Sequence, residues 1–188
     1  MEERASLAFR SQVNVRVGEL LGKTGISPNS LTALGMLVSC LAALAIVSYG
    51  LVFGALAVLI ASLFDMLDGA VAKATNRTSV FGAFFDDMAD RFGEIMYFGG
   101  IYLLTPSAVV FFAAVSSIWV SYTKASAQAR GYKITSGLIF GRPARIIMLL
   151  LAMAASPWFE ISWSLMALSI LNVFTICKRF REVSQQSV

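Results

Sequence analysis

Long apolar runs separated by short polar punctuation dominate the chain. After Ser27-Pro28-Asn29, one run extends from about Leu31 to Tyr49, where Gly50 breaks it, and a second from about Leu51 to Ala74. A third begins near Val80 and ends near Leu104, before Thr105-Pro106-Ser107, and a fourth runs from about Ala108 to Arg130. The fifth, Ile146 to Ala155, is short unless its helix begins near Pro143, a residue suited to a first helical turn. The sixth spans Trp158 to Cys177. A membrane-crossing helix needs about 20 apolar residues, so the pattern predicts six spans. Over the first 24 residues Arg4, Arg10 and Arg16 alternate with Leu7, Phe9, Val13, Val15 and Leu20, without an uninterrupted apolar core. That is the pattern of an amphipathic helix lying on the membrane surface, not of a signal peptide. The expected architecture is an all-α integral membrane protein. Its single domain, 1–188, consists of a surface helix (1–24) and a six-helix bundle (25–188), with no room for a soluble domain and no visible repeat.

Composition supports this reading. Of 188 residues, 57% are hydrophobic and 14% charged, against about 45–50% and about 25% in a soluble domain. The excess exceeds what one globular core can absorb, and it excludes a disordered chain, a coiled coil or a disulfide-rich module. The two cysteines, Cys40 and Cys177, have no metal-ligand spacing and read as packing residues. The absence of histidine removes the commonest general base and transition-metal ligand.

Charge fixes an expected sidedness. Arg4, Arg10, Arg16 and Lys23 precede the first span, and Lys73 and Arg77 lie between the second and third. Lys124, Arg130, Lys133, Arg142 and Arg145 surround the connection between the fourth and fifth, and Lys178, Arg179 and Arg181 follow the last. Only Arg91, one of 15 basic residues, lies deeper within a span. The positive-inside rule then puts both termini in the cytoplasm, with an even number of spans.

Against that apolar background, six of the 11 acidic residues fall in the second and third spans: Asp65, Asp68, Asp86, Asp87, Asp90 and Glu94. A charged side chain near a helix centre costs about 2.5–3.5 kcal/mol on insertion, more than packing alone would demand several times over. Asp65 and Asp68 are three apart and Asp86 and Asp90 four apart, so each pair projects from one helix face. Two adjacent antiparallel helices can present four carboxylates to one point, where a cation is needed to relieve their repulsion. Oxygen ligands without His or Cys select Mg²⁺, Mn²⁺ or Ca²⁺. Asp87 points about 100° away from Asp86 and precedes Arg91 by four residues, which makes an ion pair its better reading. Glu94 continues the Asp90 face. Gly69 follows Asp68, and Gly82 lies four residues before Asp86. Glycine costs a helix about 1 kcal/mol relative to Ala, so each serves either close helix packing or the approach of a ligand to backbone.

Asp65-Met-Leu-Asp68-Gly69-Ala-Val-Ala72-Lys73, eight residues, Gly82, three residues, Asp86, three residues and Asp90 resembles the CDP-alcohol phosphatidyltransferase signature D-x-x-D-G-x-x-A-R, eight residues, G-x-x-x-D-x-x-x-D. The one departure is Lys73 in place of Arg, which keeps the charge and loses the planar two-pronged donor. The resemblance implies two divalent cations, Mg²⁺ or Mn²⁺, held by Asp65, Asp68, Asp86 and Asp90, with Asp90 as general base. The residues alone do not choose Asp90 over Glu94. It also implies CDP-lipid contacts from Pro28, Asn29, Ser30, Leu31, Gly69, Lys73 and Ser79. The donor would be CDP-archaeol or CDP-diacylglycerol, the leaving group CMP, and the assembly a homodimer in the cell membrane with its site facing the cytoplasm. Nothing in the chain points to nucleic acid.

For the acceptor, Ser121-Tyr-Thr-Lys124-Ala-Ser126-Ala-Gln128 and Gly141-Arg142-Pro-Ala144-Arg145 resemble segments of the phosphatidylinositol phosphate synthase branch, roughly S-Y-x-K-A-R-A-E and E-R-x-E-R. The resemblance implies that Lys124, Arg142 and Arg145 bind the phosphate of a small polar alcohol. Inositol 1-phosphate leads by this resemblance, and glycerol 3-phosphate stays open as the second acceptor because Ser126, Gln128, Gly141 and Ala144 depart from that pattern. A cation transporter or proton relay is the rival from another class. It predicts carboxylates scattered through the membrane and an internal repeat. Here they gather on two consecutive helices and no repeat is seen.

Overall fold

A computed structural model of the chain describes Arg16, residues 18–134 and residues 141–186. Most of the predicted surface helix, 1–15 and 17, lies outside the described residues, and 18–22 are helical. Every regular element among the described residues is a helix: α1 Pro28–Ala74, α2 Val80–Leu104, α3 Ala108–Ala129, α4 Arg142–Ala154 and α5 Ile161–Gln186. Helix α1 is interrupted at Gly50, where φ is 82° and ψ 179°, a conformation that a Cβ disfavours. Its two arms, 28–49 and 51–74, are the first two runs of the sequence, divided at the expected glycine.

Three helices, α1, α3 and α5, are long and apolar enough to cross a membrane. Helix α2 has 25 residues, but Asp86, Asp87, Asp90, Arg91 and Glu94 interrupt its apolar surface. Helix α4 starts at Arg142, with Pro143 in its first turn as anticipated, yet has 13 residues. At 1.5 Å each that is about 20 Å, short of a hydrocarbon core of about 30 Å. The outward side chains include Leu37, Leu44, Phe53, Phe112 and Trp163, a surface suited to lipid.

The chain gathers into two compact units. The first ends at Ala42 and resumes over Ala57–Gly93, with Leu31, Ala61 and Val71 in its core. Ser27 caps α1 by accepting the Ser30 N–H at 3.1 Å, an interaction typically worth about 1 kcal/mol. The far end of α1 closes through two backbone bonds, Arg77 N–H to the Ala72 carbonyl at 3.0 Å and Asn76 N–H to the Lys73 carbonyl at 3.4 Å. Asn76 has φ 53°, the left-handed position that Gly or Asn fills in such a C-cap. Ser79 Oγ then accepts the Gly82 N–H at 2.9 Å and starts α2. The turn between the helices is thus hydrogen-bonded at both ends.

The second unit comprises Ala43–Leu56 and the chain from Glu94 onward. Tyr97, Ile101, Leu149, Met153, Leu165 and Leu168 are buried in it. Helices α3 and α5 are joined by Asn172 Nδ2, which donates to Ser116 Oγ and Ser117 Oγ, each at 3.0 Å. Small and polar residues of this kind let membrane helices pack closely. The Trp158 and Phe159 N–H groups both reach the Ala155 carbonyl, at 2.9 and 3.0 Å. They complete the turn after α4, so α5 begins at Ile161 rather than near Trp158. It continues through the polar stretch to Gln186, whose amide bonds both backbone groups of Lys133, at 3.0 Å to N–H and 2.7 Å to the carbonyl.

Candidate functional site

The carboxylates fall in the first unit. Asp65 and Asp68 sit on the second arm of α1, and Asp86 and Asp90 on the first half of α2. One carboxylate oxygen from each of Asp65, Asp86 and Asp90 lies within 4.8 Å of the other two. Three oxygen donors that close, all part-buried, fit one hard divalent cation with bond lengths of about 2.0–2.6 Å. Asp68 is 4% exposed and stands outside this trio. Its Oδ2 accepts the Thr32 hydroxyl at 2.5 Å. That hydroxyl also lies 3.1 Å from the Pro28 carbonyl, but its single hydrogen favours the shorter, charge-assisted bond. Arg91 pairs with the exposed Asp87 at 3.5 Å, as the four-residue spacing anticipated, and with Asp90 Oδ2 at 3.3 Å.

Beside the carboxylates is a cavity of about 220 Å³, and both Asp68 and Asp86 line it. Five of the seven residues expected to contact a CDP-lipid share its wall: Pro28, Asn29, Gly69, Lys73 and Ser79. The other two do not. The Ser30 hydroxyl pairs with Ser27 Oγ at 2.8 Å, and Leu31 is buried. A Cβ built on Gly69 would meet nothing within 4 Å, so helix packing does not require this glycine, and its bare backbone faces the cavity. A Cβ on Gly82 would lie 3.0 Å from Ser79 Oγ and 3.3 Å from Asn29 Oδ1, so close packing accounts for that one. Thr32 and Arg77 also line the cavity. No local pattern marks Thr32, which meets Asp68 across 36 residues, and the place of Arg77 between two spans indicates only sidedness.

The residues expected to bind an acceptor fall in the second unit. Lys124 is exposed and Arg142 half-buried. Arg145 is 4% exposed, and its Nη2 donates to Glu94 Oε1 at 2.7 Å and to Ser121 Oγ at 2.9 Å. Glu94, itself 1% exposed, is therefore committed to an ion pair that its place on the Asp90 face did not foretell. Arg179 is buried as well, donating through Nη1 to the Val120 carbonyl and to Thr123 Oγ1, the latter at 3.2 Å. Among the basic residues flanking the spans, sequence position alone could not single it out.

The sequence model of the CDP-alcohol phosphatidyltransferases matches residues 25–176. The chain is 30% identical to an archaetidylinositol phosphate synthase of Pyrococcus horikoshii, over 91% of this chain and 90% of that protein. It superimposes on the crystal structure of Mycobacterium tuberculosis phosphatidylinositol phosphate synthase with CDP-DAG bound, with a TM-score of 0.81 and 28% identity, over 92% of this chain and 94% of the other. The same enzyme in complex with manganese and citrate gives a TM-score of 0.80 at 28% identity, over 90% and 88% of the two chains. On its signature, fold and matched length, the chain belongs to the CDP-alcohol phosphatidyltransferase family and is a membrane-associated transferase of phospholipid biosynthesis.

Proposed function

We propose that the chain transfers the lipid phosphate group of a CDP-lipid to a hydroxyl of inositol 1-phosphate, releasing CMP. The observation that carries this reading is the trio of carboxylates beside a cavity walled by Gly69, Lys73 and Ser79. The inositol-phosphate names of the relatives and the CDP-DAG and manganese in the mycobacterial structures support it. Asp65, Asp68, Asp86 and Asp90 would hold two divalent cations, Mg²⁺ or Mn²⁺. When bound, these neutralise charge on the phosphoryl oxygens and on the departing CMP. Pro28, Asn29, Gly69, Lys73 and Ser79 bind the CDP moiety, with the exposed Ser30 and the buried Leu31 next to Pro28 and Asn29 in the first turn of α1. Gly69 gives the donor access to bare backbone, and Lys73 contributes a positive charge. Asp90 takes the proton of the attacking hydroxyl. Glu94 does not compete for that role: it is not one of the carboxylate trio, it is 1% exposed, and Arg145 holds it at 2.7 Å, closer than Arg91 lies to Asp90. Lys124, Arg142 and Arg145 bind the acceptor's phosphate, since several cations suit an anion better than a neutral alcohol.

The same reading makes residues 1–188 one domain, an expectation supported by the family match over 25–176. Its six spans, after a surface helix over 1–24, would be the two arms of α1 followed by α2 to α5, the 13-residue α4 completing its crossing with the hydrogen-bonded turn that follows it. Both termini and the site face the cytoplasm, by the distribution of Lys and Arg, and the protein works as a homodimer in the cell membrane. The test is CMP release by purified protein in lipid vesicles. CDP-archaeol and CDP-diacylglycerol are each offered inositol 1-phosphate, glycerol 3-phosphate, serine and free inositol. Release with inositol 1-phosphate alone is expected. Release only with another acceptor would overturn the acceptor assignment and leave the metal site standing.

A further inference from the structure

We infer that Glu94 is a positioning residue, which together with Ser121 fixes the guanidinium of Arg145 for the acceptor's phosphate. The inference rests on the reading of Arg145 proposed above. Three helices meet at this group. Arg145 comes from the first turn of α4, Glu94 from α2 and Ser121 from α3, and both bonds are made by the same nitrogen, Nη2, at 2.7 and 2.9 Å. Two acceptors from two directions on one nitrogen fix the plane of the guanidinium, and a planar donor is useful to an oxyanion only when its plane is fixed.

Stability does not explain the pair. Both side chains are almost wholly buried, at 4% and 1% exposure, and removing two charges from water costs several kcal/mol each. Apolar residues of similar volume generally serve a core as well or better. The pair is also incompletely satisfied, since Arg145 Nε and Glu94 Oε2 are buried and make no hydrogen bond among the described residues. A salt bridge built only to hold helices together would use its second nitrogen and second oxygen. Among the described residues, this one engages a single nitrogen of the arginine and leaves Nε–H without an acceptor. Glu94 also offsets the positive charge of the buried Arg145.

The experiment measures CMP release against inositol 1-phosphate concentration, at saturating CDP-lipid, for protein in vesicles with folding checked by thermal melting. Glu94→Gln keeps a hydrogen-bond acceptor but loses the charge. It is expected to raise the acceptor KM about tenfold or more, with kcat within about twofold and the donor KM unchanged. Glu94→Asp restores part of the loss, and Ser121→Ala raises the same KM by a smaller factor. An unchanged acceptor KM in folded Glu94→Gln, or a fall in kcat with KM unmoved, overturns the inference. Arg145→Lys separates this failure from failure of the underlying reading. A raised acceptor KM in Arg145→Lys, with Glu94→Gln silent, rejects the positioning role and keeps Arg145 at the phosphate. No change in Arg145→Lys rejects both. If Glu94→Gln does not fold, Glu94→Asp and Ser121→Ala decide by the same split between KM and kcat.

Discussion

In the proposed reaction Asp90 and Gly69 have different roles, and they should fail differently when changed. Asp90→Asn keeps the size of the side chain and removes its basicity, so CMP release is expected to fall by about 10²-fold or more, within the range general bases contribute, with the protein still folded. Gly69→Ala should do the reverse to stability. The position is helical and a Cβ there meets nothing within 4 Å, so Ala stabilises the helix by up to about 1 kcal/mol. The same methyl group enters the cavity and is expected to raise the CDP-lipid KM. A higher melting temperature with an unaltered donor KM would show that the donor does not approach this backbone. The aspartates and glycines were legible in the sequence because their spacing is local, three or four residues along one helix. Thr32 at Asp68 and Glu94 at Arg145 were not, because each pair forms across 36 or 51 residues and local periodicity carries no record of such a meeting.

Among the elements, the turn between α1 and α2 sets where the cavity wall stands. Its Asn76 occupies left-handed space, with φ 53°, and the bonds at Ala72 and Lys73 depend on that conformation. Asn76→Val is expected to lower stability by about 1–2 kcal/mol, read as a lower melting temperature, while Asn76→Gly remains close to the parent. Equal melting temperatures for the two variants would show that the turn is not conformationally demanding. The breaks at Gly50 and after Leu104 could be anticipated because glycine, proline and serine interrupt apolar runs there. The start of α5 could not, since two backbone bonds to the Ala155 carbonyl carry the turn past Trp158 and Phe159. Its extension to Gln186 was equally hidden, because the last turns are polar and apolar periodicity stops before the helix does.

For the whole molecule, the distribution of basic residues is the sharpest prediction. With Cys40 and Cys177 replaced by Ser, a single cysteine at Lys133 should react with a membrane-impermeant maleimide only in inside-out vesicles. Labelling in right-side-out vesicles would reverse the orientation. The metal belongs to this scale as well, because the fold brings three carboxylates within 4.8 Å of one another and they repel when no cation is present. Asp86→Asn should therefore raise the melting temperature of metal-free protein and abolish the further rise that Mn²⁺ gives the parent. That the described elements are helices, three of them long and apolar enough to cross a membrane, was legible from composition and run length alone. The division into two compact units was not, since it cuts through α1 and α2 at positions that no change in composition marks.

The proposed reaction needs these carboxylates and a divalent cation. The most direct measurement is CMP release from a CDP-lipid and inositol 1-phosphate by chelator-stripped protein in vesicles, before and after Mg²⁺ or Mn²⁺ is returned. Release that is absent after stripping and restored by either ion is the predicted result. Undiminished release after stripping, or none with either ion from folded protein, would contradict it.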